Sequence, residues 1–304
     1  MGSEDHPMHS IFRIIFFALI GPGIGGNALL FVKHVSLSIM GLQKKPVDLI
    51  LIQLAFANVL TLCVARITER RSPFHSDNFL SDIGCKIVVY MERVAWGLSI
   101  CTTCLLSMVQ ATTISPKTIL WRKLKPQTTR QVLSCLLLCW IINLLLSSNL
   151  LHYITAVSSM NRSEVGVYAG PCYLLSSGQT VRWLFLSLMA LRDVLFQGLM
   201  GWSSGHMAFR LYEHHQRVLY LHSSRLAVNS SPEIRATLNI LILMACFLLF
   251  YLADFIFSFY IGSMVTRDFT ILNIKIFLGL GYAVLSPFVL ISKDVYQVTC
   301  WHSD

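Results

Sequence analysis

Charge is what this chain most lacks. Asp, Glu, Lys and Arg make up 13% of its 304 residues, against roughly 25% in an average soluble domain. With 55% hydrophobic residues, it cannot be wrapped in water, which excludes an ordinary soluble domain and requires lipid as a second solvent. No repeat of roughly 20–50 residues runs through it, so solenoid architectures are excluded. There is no phosphate-binding glycine loop; Cys101-Thr102-Thr103-Cys104 fits Cys-x-x-Cys, but mid-span and without a second ligand pair it reads as neither a zinc nor a redox site, and His214-His215 stands without ligand company. Neither a cofactor nor a metal is therefore expected. No cleavable signal peptide is visible either. Residues 1–10 are polar, with Glu4 and Asp5, and the first apolar run, Ile11–Val32, is too long for a signal core and ends without a small-residue cleavage site. It reads as an uncleaved signal anchor.

What is present is a series of apolar runs. A membrane-crossing helix needs about 20 apolar residues at about 1.5 Å rise each. Seven segments qualify: Ile11–Val32, Val47–Ile67, Cys85–Thr113, Val132–Tyr153, Val181–Phe209, Leu238–Gly262 and Ile271–Ser292. Helices satisfy their own backbone in lipid. The expected fold is an all-α membrane protein, a seven-transmembrane helix bundle. Residues 1–10 form an extracellular N-terminus, 11–292 the bundle and 293–304 a cytoplasmic tail.

The loops give the bundle a direction. The net charge of +9 sits mostly between apolar runs, where it acts as a topology signal and lipid-facing charge rather than a nucleic-acid surface. With the N-terminus outside, the loop Ser115–Gln131 lies inside. It holds Lys117, Arg122, Lys123, Lys125 and Arg130 and no acid, as the positive-inside rule requires of a short loop. The sequon Asn161-Arg162-Ser163 then falls outside, making Asn161 a glycosylation candidate. Cys85 and Cys172 fall in outer loops or at their edges, where an oxidising environment lets them pair. Most other cysteines lie in spans and read as small packing residues; Cys300, in the tail, is a palmitoylation candidate.

Seven helices, a cysteine at the outer start of the third and another in the second outer loop resemble the rhodopsin-like receptor plan. Gly26-Asn27, Leu54-Ala55-Phe56-Ala57-Asn58, Trp140 and Ser286-Pro287-Phe288 match its landmarks by position. The departures are as informative. Asn58 stands where that family usually has Asp, and Gln110 where the arginine of its inner triplet falls. Ser286-Pro287 replaces Asn-Pro, Leu290 replaces a tyrosine, and span six lacks Cys-Trp-x-Pro. The usual sodium site and arginine lock are thus not expected.

One subfamily departs in the same way, and the chain is similar to it: the vomeronasal type 1 receptors. The strings that carry the likeness begin with Ser99-Ile100-Cys101-Thr102-Thr103-Cys104-Leu105-Leu106-Ser107, Gln110-Ala111 and Ile114-Ser115-Pro116. Arg192-Asp193-Val194-Leu195-Phe196, Gly198-Leu199-Met200, Gln216-Arg217-Val218, Ser231-Pro232-Glu233 and Ser286-Pro287-Phe288-Val289-Leu290 continue it. The resemblance implies a pheromone receptor in the plasma membrane. Its partners would be a small chemosignal, volatile or steroid-like, and a heterotrimeric G protein of the inhibitory or Go class. Two other readings stand beside it: a bitter-taste-like receptor, and a heptahelical channel or transporter. The strings in spans three, five and seven argue against the first. The second should show broken spans at matching positions in two halves, and no such symmetry is visible.

Ionisable groups within spans mark candidate sites. Glu92 lies two turns, about 10 Å, inward of Cys85, with Trp96 and Ser99 on its face at i+4 and i+7. These three, with Phe196, Phe250, Tyr251 and Asp254, form the candidate ligand cavity. The competing reading is internal pairing of Glu92 or Asp254 with Arg93, Arg192 or Lys275, and for Arg192-Asp193 a structural role is favoured. Gln110, Arg122, Lys123, Lys125 and Arg217 form the candidate G-protein face; for any single basic residue among them, ordinary positive-inside charge with no partner contact is the favoured reading. Gly201-Trp202-Ser203-Ser204-Gly205 fits the serine-hydrolase pattern, but inside a span it lacks the strand-to-helix elbow. No catalytic residue and no enzyme activity are expected. Its small residues suit close helix packing instead.

Overall fold

A computed structural model describes residues 5–40, 46–69, 82–114, 129–148, 151, 154–156, 166–169, 172–175, 179–221, 232–263 and 269–301, with side chains described between residues 14 and 291 outside the sheet and some helix ends. Among these, seven long helices follow one another: α1 (Asp5–Ile39), α2 (Pro46–Glu69), α3 (Asp82–Ile114), α4 (Thr129–Ser147), α5 (Gln179–Leu221), α6 (Pro232–Ser263) and α7 (Phe269–Trp301). Each predicted span has its helix. By length and composition, the stretches at 14–39, 46–67, 83–113 and 129–147 can cross a membrane, and shorter apolar stretches lie in α6 (Met244–Phe257) and α7 (Ile276–Ile291). The described part of α5, interrupted by Arg192, Asp193 and a run of small polar residues, falls outside both sets.

Several helix ends depart from the apolar runs. α1 starts at Asp5 rather than Ile11 and ends at Ile39 rather than Val32, α5 continues past Phe209 to Leu221, α6 starts at Pro232 rather than Leu238, and α7 runs unbroken to Trp301, into the segment assigned to the tail. Hydropathy stops where lipid stops, whereas a helix continues wherever its backbone is satisfied. The second departure is a small sheet between α4 and α5, which an all-α expectation misses. Strands β1 (Ile154–Ala156), β2 (Gly166–Ala169) and β3 (Cys172–Leu175) pair antiparallel in the order β1-β3-β2. β1 lies against α3. α4 therefore ends at Ser147, short of the predicted Tyr153.

α3 is the axis of the bundle. It contacts α2, α4 and α5, and from Val94 to Ala111 most of its residues are buried. α4 is peripheral. Val132, Leu136, Asn143 and Ser147 form one buried stripe at helical spacing, while Leu133, Leu137, Leu138, Ile141, Leu144 and Leu145 are exposed. An outward face made of Leu and Ile suits acyl chains. The main core joins Leu54, Ile100, Leu106, Met200, Met244, Phe247, Tyr251 and Tyr282 across five helices. A second cluster, Phe16, Ile20, Leu62, Leu280, Ala283 and Val284, ties α1, α2 and α7. Lipid tails are as apolar as leucine, so such packing supplies contact but little hydrophobic drive between helices. Polar contacts must therefore help select one arrangement.

Candidate functional site

A polar layer crosses the bundle at mid-depth. Pro287 sits inside α7 and has no N–H to give the carbonyl four residues back, that of Ala283. Asn27 of α1 supplies the missing donor: its Nδ2 lies 2.8 Å from Ala283 O and 2.8 Å from Gly23 O. The Asn27 carboxamide oxygen accepts from Asn58 Nδ2 at 3.2 Å, and the same nitrogen donates to Ser286 Oγ at 2.9 Å. Ser99 Oγ of α3 donates to Asn58 Oδ1 at 3.1 Å. Every donor of both amides is matched, and Asn27, Asn58, Ser99 and Ser286 are all buried. Asn58, where the wider superfamily places a carboxylate, here closes a neutral network.

The absence of charge makes a prediction. Asn58→Asp removes the donor to Asn27 and Ser286 and leaves a bare carboxylate among hydroxyls and carbonyls, so it should lose about 1–3 kcal/mol of stability. Sodium should restore part of that loss in the variant and do nothing to the natural chain. Thermal unfolding in sodium against choline chloride reads both effects. A natural chain stabilised by sodium contradicts the network.

An aromatic column stands on this layer. Thr103 Oγ1 lies 3.0 Å from the Tyr282 hydroxyl. Phe247 and Tyr251, one turn apart on α6, stack with centroids 4.0 Å apart, and Phe247 meets Tyr282 of α7 edge-on at 4.1 Å. Trp96 of α3 rests on Tyr251 at 4.5 Å. A Cβ added to Gly279 would lie 3.2 Å from the Trp96 ring and 3.8 Å from Asp254 Oδ1. Glycine on α7 thus lets an indole and a carboxylate from two other helices approach one point. Phe250 packs over Gly281 in the same way, so closely that a Cβ there would overlap its ring.

Of the seven predicted ligand residues, Trp96 and Asp254 converge at Gly279, Tyr251 packs against Trp96, and Phe250 packs at Gly281. Ser99 is buried one turn along α3 from Trp96, its hydroxyl already used by Asn58. Phe196 packs against the main core from α5. Glu92 is exposed, a turn outward of Trp96. Both Glu92 and Asp254 have interaction partners within the fold.

Arg192 joins neither Glu92 nor Asp254 in any described contact. Its Nε and Nη2 donate to Asp193 Oδ1 at 2.8 and 2.7 Å, and its Nη1 donates to Asn143 Oδ1 of α4 at 2.6 Å. Asn143 Nδ2 donates to Cys139 O at 2.7 Å and to Cys101 Sγ at 3.5 Å. Gly97 of α3 closes the site; a Cβ there would overlap the Asn143 carboxamide and lie 2.5 Å from Arg192 Nη1. The structural role read for Arg192-Asp193 fits this geometry. Asn143 and Gly97 escaped the sequence reading. A lone Asn within a leucine-rich span was the available signal, since polar groups at that depth seek partners.

Two further features were also missed. His34 Nδ1 of α1 lies 2.9 Å from Asp48 Oδ1 of α2, with both side chains largely buried. Arg210 and Glu213 pair along α5 at 3.0 Å. Gln110 is half-buried near the C-terminal end of α3, and its Oε1 has no hydrogen-bond partner among the described residues. The side chain of Arg217 and all of Arg122, Lys123, Lys125 and Asn161 lie outside the described residues. Cys85 is disulfide-bonded; its predicted partner Cys172 opens β3, with its side chain outside those described.

The hydrolase-like pattern lies wholly within α5, with Ser203 buried and Trp202 exposed, so no elbow exists. The expectation of close packing there is not met: a Cβ at Gly201 or Gly205 would find nothing within 4 Å. Among the described residues, no three His, Cys, Asp or Glu side chains are grouped to hold a metal.

The profile of the vomeronasal organ pheromone receptor family matches residues 10–303. The chain is 33% identical over 278 residues to vomeronasal type-1 receptor 4 of Pongo pygmaeus, covering 91% of this chain and 92% of that one. It is likewise 33% identical to vomeronasal type-1 receptor 4 of Homo sapiens, over 90% of each chain. Against vomeronasal type-1 receptor 51 of Mus musculus it is 33% identical over 300 residues, covering 97% of this chain and 92% of the relative.

Proposed function

The chain belongs to the vomeronasal organ pheromone receptor family, and from that premise we propose how this particular bundle works. It crosses the plasma membrane seven times with its N-terminus outside. A small chemosignal, volatile or steroid-like, enters between the outer halves of α3, α6 and α7. Cys85 pairs with Cys172, hanging the small sheet from α3 beside that entrance, and Asn161 carries a glycan on the same side. The inner end of α3 at Gln110, with Arg122, Lys123, Lys125 and Arg217, faces a heterotrimeric G protein of the inhibitory or Go class.

One observation supports the ligand site: Trp96 of α3 and Asp254 of α6 meet at Gly279 of α7, with Tyr251 against the Trp96 ring. A ligand seated there touches Trp96, one turn along α3 from Ser99 of the polar layer. It acts by binding the active arrangement better than the resting one. Glu92 stands at the rim.

The test is expression with a chimeric G protein and a screen of urinary and glandular volatiles and steroids. For an agonist so found, Asp254→Asn and Gly279→Val should each shift the half-maximal concentration at least about tenfold, worth about 1.4 kcal/mol. Glu92→Gln should shift it less, with surface expression kept. Dose-response curves unchanged in all three variants would overturn this site. Ligand-dependent current without any G protein would overturn the coupling.

A further inference from the structure

The place where α3, α6 and α7 meet combines two kinds of group that act on one kind of ligand. Around the position a Gly279 Cβ would take, the six-membered ring of the Trp96 indole lies at 3.2 and 3.6 Å and Asp254 Oδ1 at 3.8 Å. The Tyr251 ring packs on Trp96 with centroids 4.5 Å apart. Phe250 and Tyr251 precede Asp254 by four and three residues, the spacing that sets all three on one side of α6. Glu92 repeats the pattern on α3, four residues before Trp96 and exposed. Arg192, the buried guanidinium of the bundle, is turned to Asp193 and Asn143 in its described bonds.

A carboxylate carries a full negative charge, and the face of an aromatic ring carries the negative part of a quadrupole. Both attract a monocation, and tryptophan does so most strongly among the aromatic residues. Both repel an anion. Tyr251 is 4% exposed and Trp96 is partly buried, so water competes less for a cation here than it would at a surface. Asp254 and Glu92 already have partners within the fold. An arriving ammonium group therefore competes for the Asp254 carboxylate, and it adds the contacts to the rings. A neutral hydroxyl offers the carboxylate only an uncharged hydrogen bond and gains nothing from the rings' quadrupoles.

We propose that this site takes a small protonated amine, its ammonium N–H donating to the Asp254 carboxylate and its charge resting against the Trp96 and Tyr251 rings. This rests on the ligand site proposed above and narrows its ligand from small chemosignals in general to monocations.

The test uses purified full-length receptor in nanodiscs and three probes of one shape: cyclohexylamine, cyclohexanol and cyclohexanecarboxylate. The rise in melting temperature with probe concentration reads binding without any G protein. In the natural chain, the alcohol should need at least about tenfold more than the amine for equal protection, and the carboxylate should give none. Asp254→Asn should weaken the amine at least about tenfold and leave the alcohol within about threefold, whereas Asp254→Glu should keep the amine preference. Trp96→Leu should weaken the amine by about three- to tenfold. If Asp254→Asn does not fold, the amine-to-alcohol ratio of the natural chain and of Asp254→Glu decides. No protection by the amine beyond that of the alcohol overturns the proposal. If Gly279→Val then abolishes protection by the alcohol, the site stands and its ligand is neutral. An amine preference untouched by both Asp254→Asn and Gly279→Val overturns the proposal together with the site, because the cation then binds elsewhere.

Discussion

Arg192→Ala should remove about 3–5 kcal/mol of stability, the usual consequence of deleting one partner of a buried ion pair. Arg192 is 6% exposed, and all three of its described hydrogen bonds are internal. Without it, the Asp193 carboxylate keeps its charge with no described cation beside it, and Asn143 Oδ1 loses its donor. The deficit is not the worth of the pair itself. Arg192→Leu combined with Asp193→Leu removes both charges together, so the double variant should recover most of the loss. Thermal unfolding of purified receptor in nanodiscs measures all three proteins. A double variant as unstable as Arg192→Ala would show that the pair itself, rather than an orphaned charge, holds the helices.

A second large effect should come from a single carbon atom. In Gly97→Ala the new methyl occupies the place of the Asn143 carboxamide and crowds Arg192 Nη1. Side-chain ends can usually swing aside, but these are tied. Asn143 is held by Cys139, Cys101 and Arg192, and Arg192 by Asp193 and Asn143. Making room breaks the bond between them, so overpacking of about 1–3 kcal/mol adds to a lost charged hydrogen bond of about 1.5–3 kcal/mol. Gly198→Ala and Gly205→Ala on α5 are the controls, since nothing lies within 4 Å of either Cβ. They should be neutral or gain up to about 1 kcal/mol from helix propensity. Loss of folded receptor in Gly97→Ala but in neither control is the expected pattern. Equal behaviour of all three would contradict the packing around Arg192.

α1 to α4 were legible because their apolar runs are long enough to cross lipid, and α6 and α7 because they carry shorter apolar stretches. The ends were not, because α5 beyond Phe209 and α6 before Leu238 are polar helices with no hydropathic signal. The sheet escaped for a related reason: strands of three or four residues leave too little alternation to read. Asn27, Asn58 and Ser286 stood out by position, yet their partnership depends on how α1, α2 and α7 are rotated. Arg192 is the sharpest case. Sequence offered it distant acids beside its immediate neighbour, and adjacent helical residues point apart. A long guanidinium can nevertheless curl back to Asp193 while reaching across to α4. Glu92 was not legible as exposed, because its exposure follows from where α3 emerges from its neighbours.

The stacked rings on α6 carry a mechanical consequence. That helix has no proline between Pro232 and Ser263 at which to bend, and Phe247 and Tyr251 rest on Tyr282 and Trp96 near its middle. It can act as a lever on an aromatic fulcrum. About 20 Å of helix extends to either side at about 1.5 Å per residue, so a tilt of about 5° would carry each end through roughly 2 Å. The two ends would move in opposite directions: drawing one toward the bundle would push the other away.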